Sequence, residues 1–293
     1  MRLLVTGATG QLAQKLGAGT TPENPVLAVG RPDLDICRPE TITAAIADLR
    51  PDVIVNAAAY TAVDKAESEP EIASAINRDG AGNVAAAAAA AGLPVIHVST
   101  DYVFSGEKDE PYVETDSAGP LGVYGRSKLA GEEAVARANS RHIILRTSWV
   151  YSDTGNNFVR TMLRLATERE ELGIVADQFG NPTFAGDLAH GVIHIARHLV
   201  EDREFAGYGV YHLSGSGKTS WAGFARHIFE VSGRLGGPVA RVRDITTAEF
   251  PTPARRPLNS CLATGKYSSR FGWSPPEWRI SLAVVLNRLV GVS

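Results

Sequence analysis

The chain has little cysteine, no excess of one charge and no long apolar run, and each shortage removes a class of function. Cys37 and Cys261 are its two cysteines, far apart in 293 residues. Two isolated thiols build neither a disulfide framework nor a zinc site, so they read as reduced thiols of a cytoplasmic protein. A formal net charge of −3, from 29 basic and 32 acidic residues, gives no electrostatic reason to expect nucleic acid or an anionic membrane as partner. Met1-Arg2-Leu3-Leu4-Val5 meets Gly7 before an apolar secretion signal can form. The longest apolar stretch, Val84 to Ile96, is broken by Gly92 and Pro94 and is too short to span a bilayer. No His, Cys, Asp and Glu residues cluster at metal-ligand spacing, so no metal is expected. His97, His142, His190 and His194 stand apart and read as structural.

What remains is an ordinary globular composition, 44% hydrophobic and 21% charged, able to bury a large core. Short β-branched runs at Arg2–Val5, Val26–Val29, Val53–Val55, Val95–Val98 and Ile143–Leu145 read as buried parallel strands. Helical patterns lie between them at Gln11–Leu16, Pro39–Leu49, Ile72–Ala91 and Tyr124–Asn139. This alternation predicts an α/β fold with a doubly wound, Rossmann-type parallel sheet. The alanines from Ala85 to Ala91 favour helix and close packing on the sheet, with no function of their own. The second half is less regular. Helices are expected at Asn157–Glu168, Asp187–Leu199, Trp221–Val231 and Ile280–Val290, with strands at Ile174-Val175 and Tyr211-His212-Leu213. The expected division is a dinucleotide-binding domain over 1–150 and a smaller, mainly substrate-binding lobe over 151–293. Segments around 187–213 are expected to return to the first domain.

Strand Arg2–Val5 runs into Gly7-Ala8-Thr9-Gly10-Gln11-Leu12-Ala13, a G-x-x-G-x-x-A turn that opens a helix. Gly7 permits the tight turn, Gly10 lets backbone approach a pyrophosphate, and the helix N-terminus supplies N–H donors. Asn56-Ala57-Ala58-Ala59 places small residues where an adenosine must enter. After Val29 no acidic residue stands ready for the adenosine ribose. Gly30-Arg31 stands there instead, and Arg31 suits a 2′-phosphate or is a solvated loop residue. NADPH is the expected cofactor, with NADH as the alternative, and Asp35-Ile36 would flank the adenine.

Tyr124 precedes Lys128 by four positions on an expected helix, so the two share a face. A positive charge beside the phenol would lower its pKa from the usual ~10 toward the range of an acid–base catalyst. Ser99-Thr100 follows the fourth strand, where a hydroxyl could bond the carbonyl oxygen that Tyr124 protonates.

Together, Gly7-x-x-Gly10, Asn56-Ala57-Ala58-Ala59, Ser99-Thr100-Asp101-Tyr102-Val103-Phe104 and Tyr124-Gly125-Arg126-Ser127-Lys128 resemble the extended short-chain dehydrogenase/reductase family. More narrowly, Val53–Glu67, Lys128–Glu132, Arg146–Tyr151, Asn156-Asn157-Phe158, Asp177–Thr183 and Arg256–Ser260 resemble the dTDP-4-dehydrorhamnose reductases. The resemblance covers nearly the whole chain. It implies NADPH-dependent reduction of the C4 ketone of dTDP-4-dehydro-β-L-rhamnose, the last step of dTDP-L-rhamnose synthesis for cell-envelope polysaccharide. Carried over residue by residue, Thr100 would orient the ketone, Tyr124 would donate the proton, and Lys128 would tune Tyr124 and hold the nicotinamide ribose. Cofactor contacts would fall on Gly10, Gln11, Leu12, Asp35, Ile36, Ala59, Tyr60, Thr61 and Val98. Sugar-nucleotide contacts would fall on Thr100, Asp101 and Trp149, although Trp149 also reads as a core aromatic. Arg256 would pair with the diphosphate; its neighbour Arg255 lies outside the motif. A homodimer is a candidate assembly.

Two rivals share the resemblance. Sugar-nucleotide dehydratases carry a glutamate after the aspartate of Ser99-Thr100-Asp101 for elimination, but this chain has Tyr102 there. A regulatory subunit of methionine adenosyltransferase keeps the fold without the chemistry. Steady NADPH oxidation by a keto-sugar nucleotide separates both from a reductase.

Overall fold

The computed structural model describes residues 1–202 and 204–291. Short apolar runs form strands β1 (Leu3–Thr6), β2 (Val26–Val29), β3 (Val53–Asn56), β4 (Val95–Thr100) and β5 (His142–Thr147). With Gly209–His212 they make a parallel sheet ordered Gly209–His212, β5, β4, β3, β1, β2. Strand order reverses between β1 and β3, and at such a switch point the carboxyl ends of the strands part to leave a crevice. This is the doubly wound α/β sheet that the strand–helix alternation predicts.

Successive side chains of a strand face opposite ways, so a sheet covered by helices must be apolar on both faces. On one face Leu3, Val5, Val53, Val55 and Leu145 pack on Leu12 and Leu16 of the Gln11–Ala18 helix and on Leu188, Val192 and Ile195 of the Ala185–Glu201 helix. On the other, Leu4, Ile54, Val95 and Ile144 meet Ile42, Val84, Ala85 and Ala88. Each fully buried Leu or Ile contributes about 1.5–3 kcal/mol. The alanines let their helix lie close to the sheet, which is packing and nothing more.

The helix expected over 72–91 runs from Pro70 to Ala90 but widens into a π turn at Ala75–Gly80. Within this turn lies Asn77, whose buried amide is fully engaged. It accepts the Tyr60 N–H at 2.8 Å and donates to the Tyr60 carbonyl at 3.1 Å and the Ser127 hydroxyl at 2.9 Å. A π turn shifts a side chain off the regular 3.6-residue face, and such turns recur at functional sites.

A second core gathers Tyr151, Val159, Met162, Phe224, Ile228, Trp278 and Leu282 between the helices Phe158–Ala166, Trp221–Arg234 and Trp278–Leu289. Glu171–Val175 pairs in parallel with Arg241–Ile245, a strand whose alternating charges hid it from the sequence pattern. The two-residue strands and the Gly265–Phe271 helix are too short to show a period. Asp153 joins the two cores, taking Lys15 from one side and Arg288 from the other. Among the described residues no helix is long and apolar enough to cross a membrane, and no three His, Cys, Asp or Glu residues form a metal-binding group.

Candidate active site

Two contiguous clefts open at the switch point. One, of about 870 Å³, runs from the Gly7–Gly10 turn over the end of β2. The other, of about 510 Å³, continues from Gly10 and Gln11 over the ends of β4 and β5. Gly7 holds φ +77°, and a Cβ on it would come within 2.9 Å of the Ala58 backbone, so only glycine lets the two turns meet. Gly10 precedes the first helix without a capping side chain, leaving the first-turn N–H groups to face the cleft. That donor set, beside small residues at Ala57, Ala58 and Ala59, fits a dinucleotide pyrophosphate.

Of the expected cofactor residues, Gly7, Arg31, Asp35 and Ile36 line the first cleft. Gln11, Leu12, Val98, Tyr124 and Lys128 line the second, and Gly10, Ala59 and Thr61 line both. Tyr60, between Ala59 and Thr61, lines neither. Its backbone is held by Asn77 and its hydroxyl donates to Glu69 at 2.7 Å, so it braces the turn that carries Ala59 and Thr61.

Tyr124 and Lys128 stand one turn apart on the Val123–Ala138 helix, facing the second cleft. The helix can approach because residue 125 is glycine: a Cβ there would run into the Tyr102 carbonyl. Tyr102 and Tyr124 consequently meet edge to face, ring centroids 5.8 Å apart. Lys128 is buried, and its ammonium donates to the Val98 carbonyl at 2.7 Å. Burial pulls its pKa down to about 8, with Glu132 one turn later acting to raise it. Burial pushes the Tyr124 phenol up to about 12; the Thr100 hydroxyl works against this, and the Asp101 charge adds to it. The Lys128 ammonium itself is aimed at the Val98 carbonyl of β4.

Thr100 donates to Asp101 Oδ1 at 2.9 Å and accepts the Tyr102 N–H at 3.2 Å. Its proton is thus committed to Asp101, and it must turn to serve a ketone. Asp101 is buried, which raises its pKa to about 7 despite the Ser260 and Thr100 hydroxyls and two backbone N–H groups. Its Oδ2 is buried and makes no hydrogen bond within normal geometry, while the residue lines the cleft. Below the floor, Glu132 accepts from Ser99 and takes Arg146 on both oxygens, at 2.9 and 2.7 Å. Both charges of this pair are buried, which ties β5 to the helix of Tyr124, while the Ser99 hydroxyl ties the end of β4 to the same carboxylate.

Trp149 lines the second cleft while its ring stacks on Trp221, centroids 3.5 Å apart, so both of its readings have support. It holds φ 45°, unusual for a bulky residue. Arg256 lines neither cleft. It forks onto Asp64, although its neighbours Ala254, Arg255 and Pro257 line a small hollow with Tyr102 and Tyr124. A free guanidinium awaiting a diphosphate is therefore not what the structure presents.

A family model described as the RmlD substrate binding domain matches residues 1–290. The chain belongs to this family. A relative named dTDP-4-dehydrorhamnose reductase from Sinorhizobium fredii is 53% identical, with 96% of this chain and 95% of the relative aligned. A dTDP-4-dehydrorhamnose reductase of solved structure from Clostridium acetobutylicum superposes with TM-score 0.91 at 38% identity, covering 99% of each chain. Another, from Bacillus anthracis and in complex with NADP, gives TM-score 0.89 at 37% identity over 97% of this chain and 98% of that one.

Within this RmlD-type frame, sequence reading alone misses Asn77, His97, Glu132, Arg146 and Asp64 as parts of the site. Glu132, Arg146 and Asp64 lie inside the motifs that carry the resemblance, and a charge of each sign there is the signal that could pair them. Asn77 and His97 carried no local signal.

Proposed function

We propose that the chain reduces the C4 ketone of dTDP-4-dehydro-β-L-rhamnose to dTDP-β-L-rhamnose, using NADPH. The observation that carries this is the joining of the two clefts: the glycine turn opens directly into the space lined by Thr100, Asp101, Tyr124, Lys128 and Trp149. The relatives' name and the NADP in one of their structures support the same reading. NADPH bound along the clefts supplies the hydride.

The protein's own residues handle the proton and the pose. Tyr124 is fully protonated near neutrality and donates to the ketone oxygen as charge gathers there, while Thr100 bonds the same oxygen. Asp101 meets a sugar hydroxyl where it lines the cleft beside Thr100, and the Trp149 ring gives the sugar nucleotide a flat wall. Lys128 holds the nicotinamide ribose, and Arg31 holds the 2′-phosphate. Tyr102, where dehydratases carry glutamate, has its phenol pKa raised by burial and holds its proton, which favours reduction over elimination.

Residues 1–150 bind the cofactor in this reading, and 151–293 mainly the substrate. Helix Ala185–Glu201 and strand Gly209–His212 belong to the cofactor lobe, through which they share the sheet's core. The enzyme works in the cytoplasm as a homodimer, without nucleic acid or membrane. The test is NADPH oxidation against a panel of dTDP-4-keto sugars. Turnover of the 4-dehydrorhamnose substrate well above the others supports the reading; oxidation with none of them overturns it.

A further inference from the structure

A buried chain of hydrogen bonds runs sideways across the ends of β1, β3 and β4 to Lys128. The Ala58 N–H donates to Thr6 Oγ1 at 3.2 Å, and the Thr6 hydroxyl donates to Asn56 Oδ1 at 2.7 Å. Asn56 Nδ2 then lies 3.1 Å from His97 Nδ1, and His97 Nε2 lies 3.5 Å from Lys128 Nζ. Thr6, Asn56, His97 and Lys128 are all buried, so water does not enter the count.

The direction of this chain is dictated from one end. A backbone N–H cannot act as an acceptor, so Thr6 Oγ1 must accept from Ala58. Its single proton then has to go to an acceptor, and among the described residues Asn56 Oδ1 is the one that bonds it. This fixes the Asn56 amide with Nδ2 toward His97. His97 Nδ1 must therefore carry the lone pair, and the neutral ring keeps its proton on Nε2. That N–H faces the lysine nitrogen. An ammonium offers it only more protons, whereas an uncharged amine offers a lone pair.

We propose that His97 is a positioning residue for Lys128, held as the Nε2–H tautomer by Thr6 and Asn56 so that it favours the uncharged amine. The proposal rests on the reading of Lys128 as part of the reductase site. Burial and the Lys128 charge hold the ring's pKa well below its usual value, so His97 stays neutral near pH 7. From its own helix Lys128 also faces Glu132, which is tied to Arg146 of β5; from β4 it meets the Val98 carbonyl, and it shares its cleft with Tyr124 and Asp101. Glu132 acts to raise the lysine's proton affinity, and His97 opposes it. Lys128 is thereby poised to exchange a proton near neutrality, where a fully charged lysine would only hold a charge.

The test uses the full chain and needs no substrate. With ¹⁵N-labelled histidine, the His97 ring should show a protonated Nε2 and an unprotonated Nδ1; an Nδ1–H ring or an imidazolium overturns the proposal. Asn56→Asp places an acceptor opposite Nδ1, so the ring should switch to Nδ1–H and turn a lone pair toward Lys128. The Lys128 ε-carbon titration, assigned by its loss in Lys128→Arg, should then move up by on the order of one pH unit. A switched ring with an unmoved lysine midpoint overturns the coupling. Should Asn56→Asp not fold, the tautomer in the unaltered protein still decides. Failure of keto-sugar reduction would leave these spectra unchanged, so the two readings fail separately.

Discussion

Arg256 grips Asp64 with two parallel hydrogen bonds, Nη1 to Oδ1 at 3.0 Å and Nη2 to Oδ2 at 2.8 Å, across 192 positions of chain. The Ala254 N–H joins them on Oδ1 at 3.2 Å. A proline-punctuated loop of the second lobe is thus buttoned onto the turn after β3, and the pairing lowers the Asp64 pKa. Its neighbours touch the hollow beside Tyr124.

This geometry predicts how Arg256 acts. Arg256→Lys loses the fork that matches a carboxylate, so the loop should loosen and KM for the dTDP-sugar rise, with NADPH Kd unchanged. The pair is partly exposed, so a rise of about two- to five-fold is expected. Asp64→Asn should do the same, and the double variant should add little. Steady-state kinetics decides: a KM rise confined to Arg256→Lys would mean that the guanidinium leaves Asp64 and binds the diphosphate itself.

Tyr124→Phe should remove most turnover, by about 10²–10⁴-fold, while NADPH Kd stays nearly constant. The change deletes one oxygen and leaves the edge-to-face contact with Tyr102 in place. Retention of more than about a tenth of the rate would take the proton-donor role away from Tyr124.

Arg31→Ala should weaken NADPH by about 10- to 100-fold and leave NADH nearly unaffected, since a charge-assisted hydrogen bond contributes roughly 1.5–3 kcal/mol. Arg31 lines the far end of the first cleft with Asp33 and Asp35, whose carboxylates would repel a phosphate left without its guanidinium. Equal shifts in both Kd values would leave Arg31 as a solvated residue.

Acid should separate the two lobes through Asp153. Burial acts to raise its pKa, but Lys15, Arg288 and Ser152 outweigh it and bring it down to about 2. A depressed carboxyl pKa stabilises the fold above the unfolded value near 4, and this contribution is lost as pH falls from about 4 to 2. Asp153→Asn should therefore cost at most about 2–3 kcal/mol at pH 7 and almost nothing near pH 2. Urea midpoints at the two pH values measure the difference; an equal cost at both would assign the loss to packing, not charge.

Much of this protein was legible along the chain because the signals are local. The Gly7–Gly10 turn, the four-residue step from Tyr124 to Lys128 and the β-branched runs of the sheet each lie within a few residues. Turn geometry, helical period and strand propensity read them directly. Local pattern also predicted the doubly wound parallel sheet, since strands that alternate with helices pair through crossovers.

Tertiary structure decided which way the charges and protons point. Lys128 stands beside Tyr124 in sequence, yet its ammonium is drawn to Val98 by the approach of helix and strand. Asn56 finds His97 because β3 and β4 pair in parallel register, and Glu132 finds Arg146 because its helix packs across β4 and β5. Asp64 and Arg256 meet only when two lobes close. A hydrogen-bond partner is chosen by position in space and by the loss of water around it, and neither is written in local spacing. Sequence alone therefore determined the groups available for the chemistry, and the packed fold determined their proton affinities and partners.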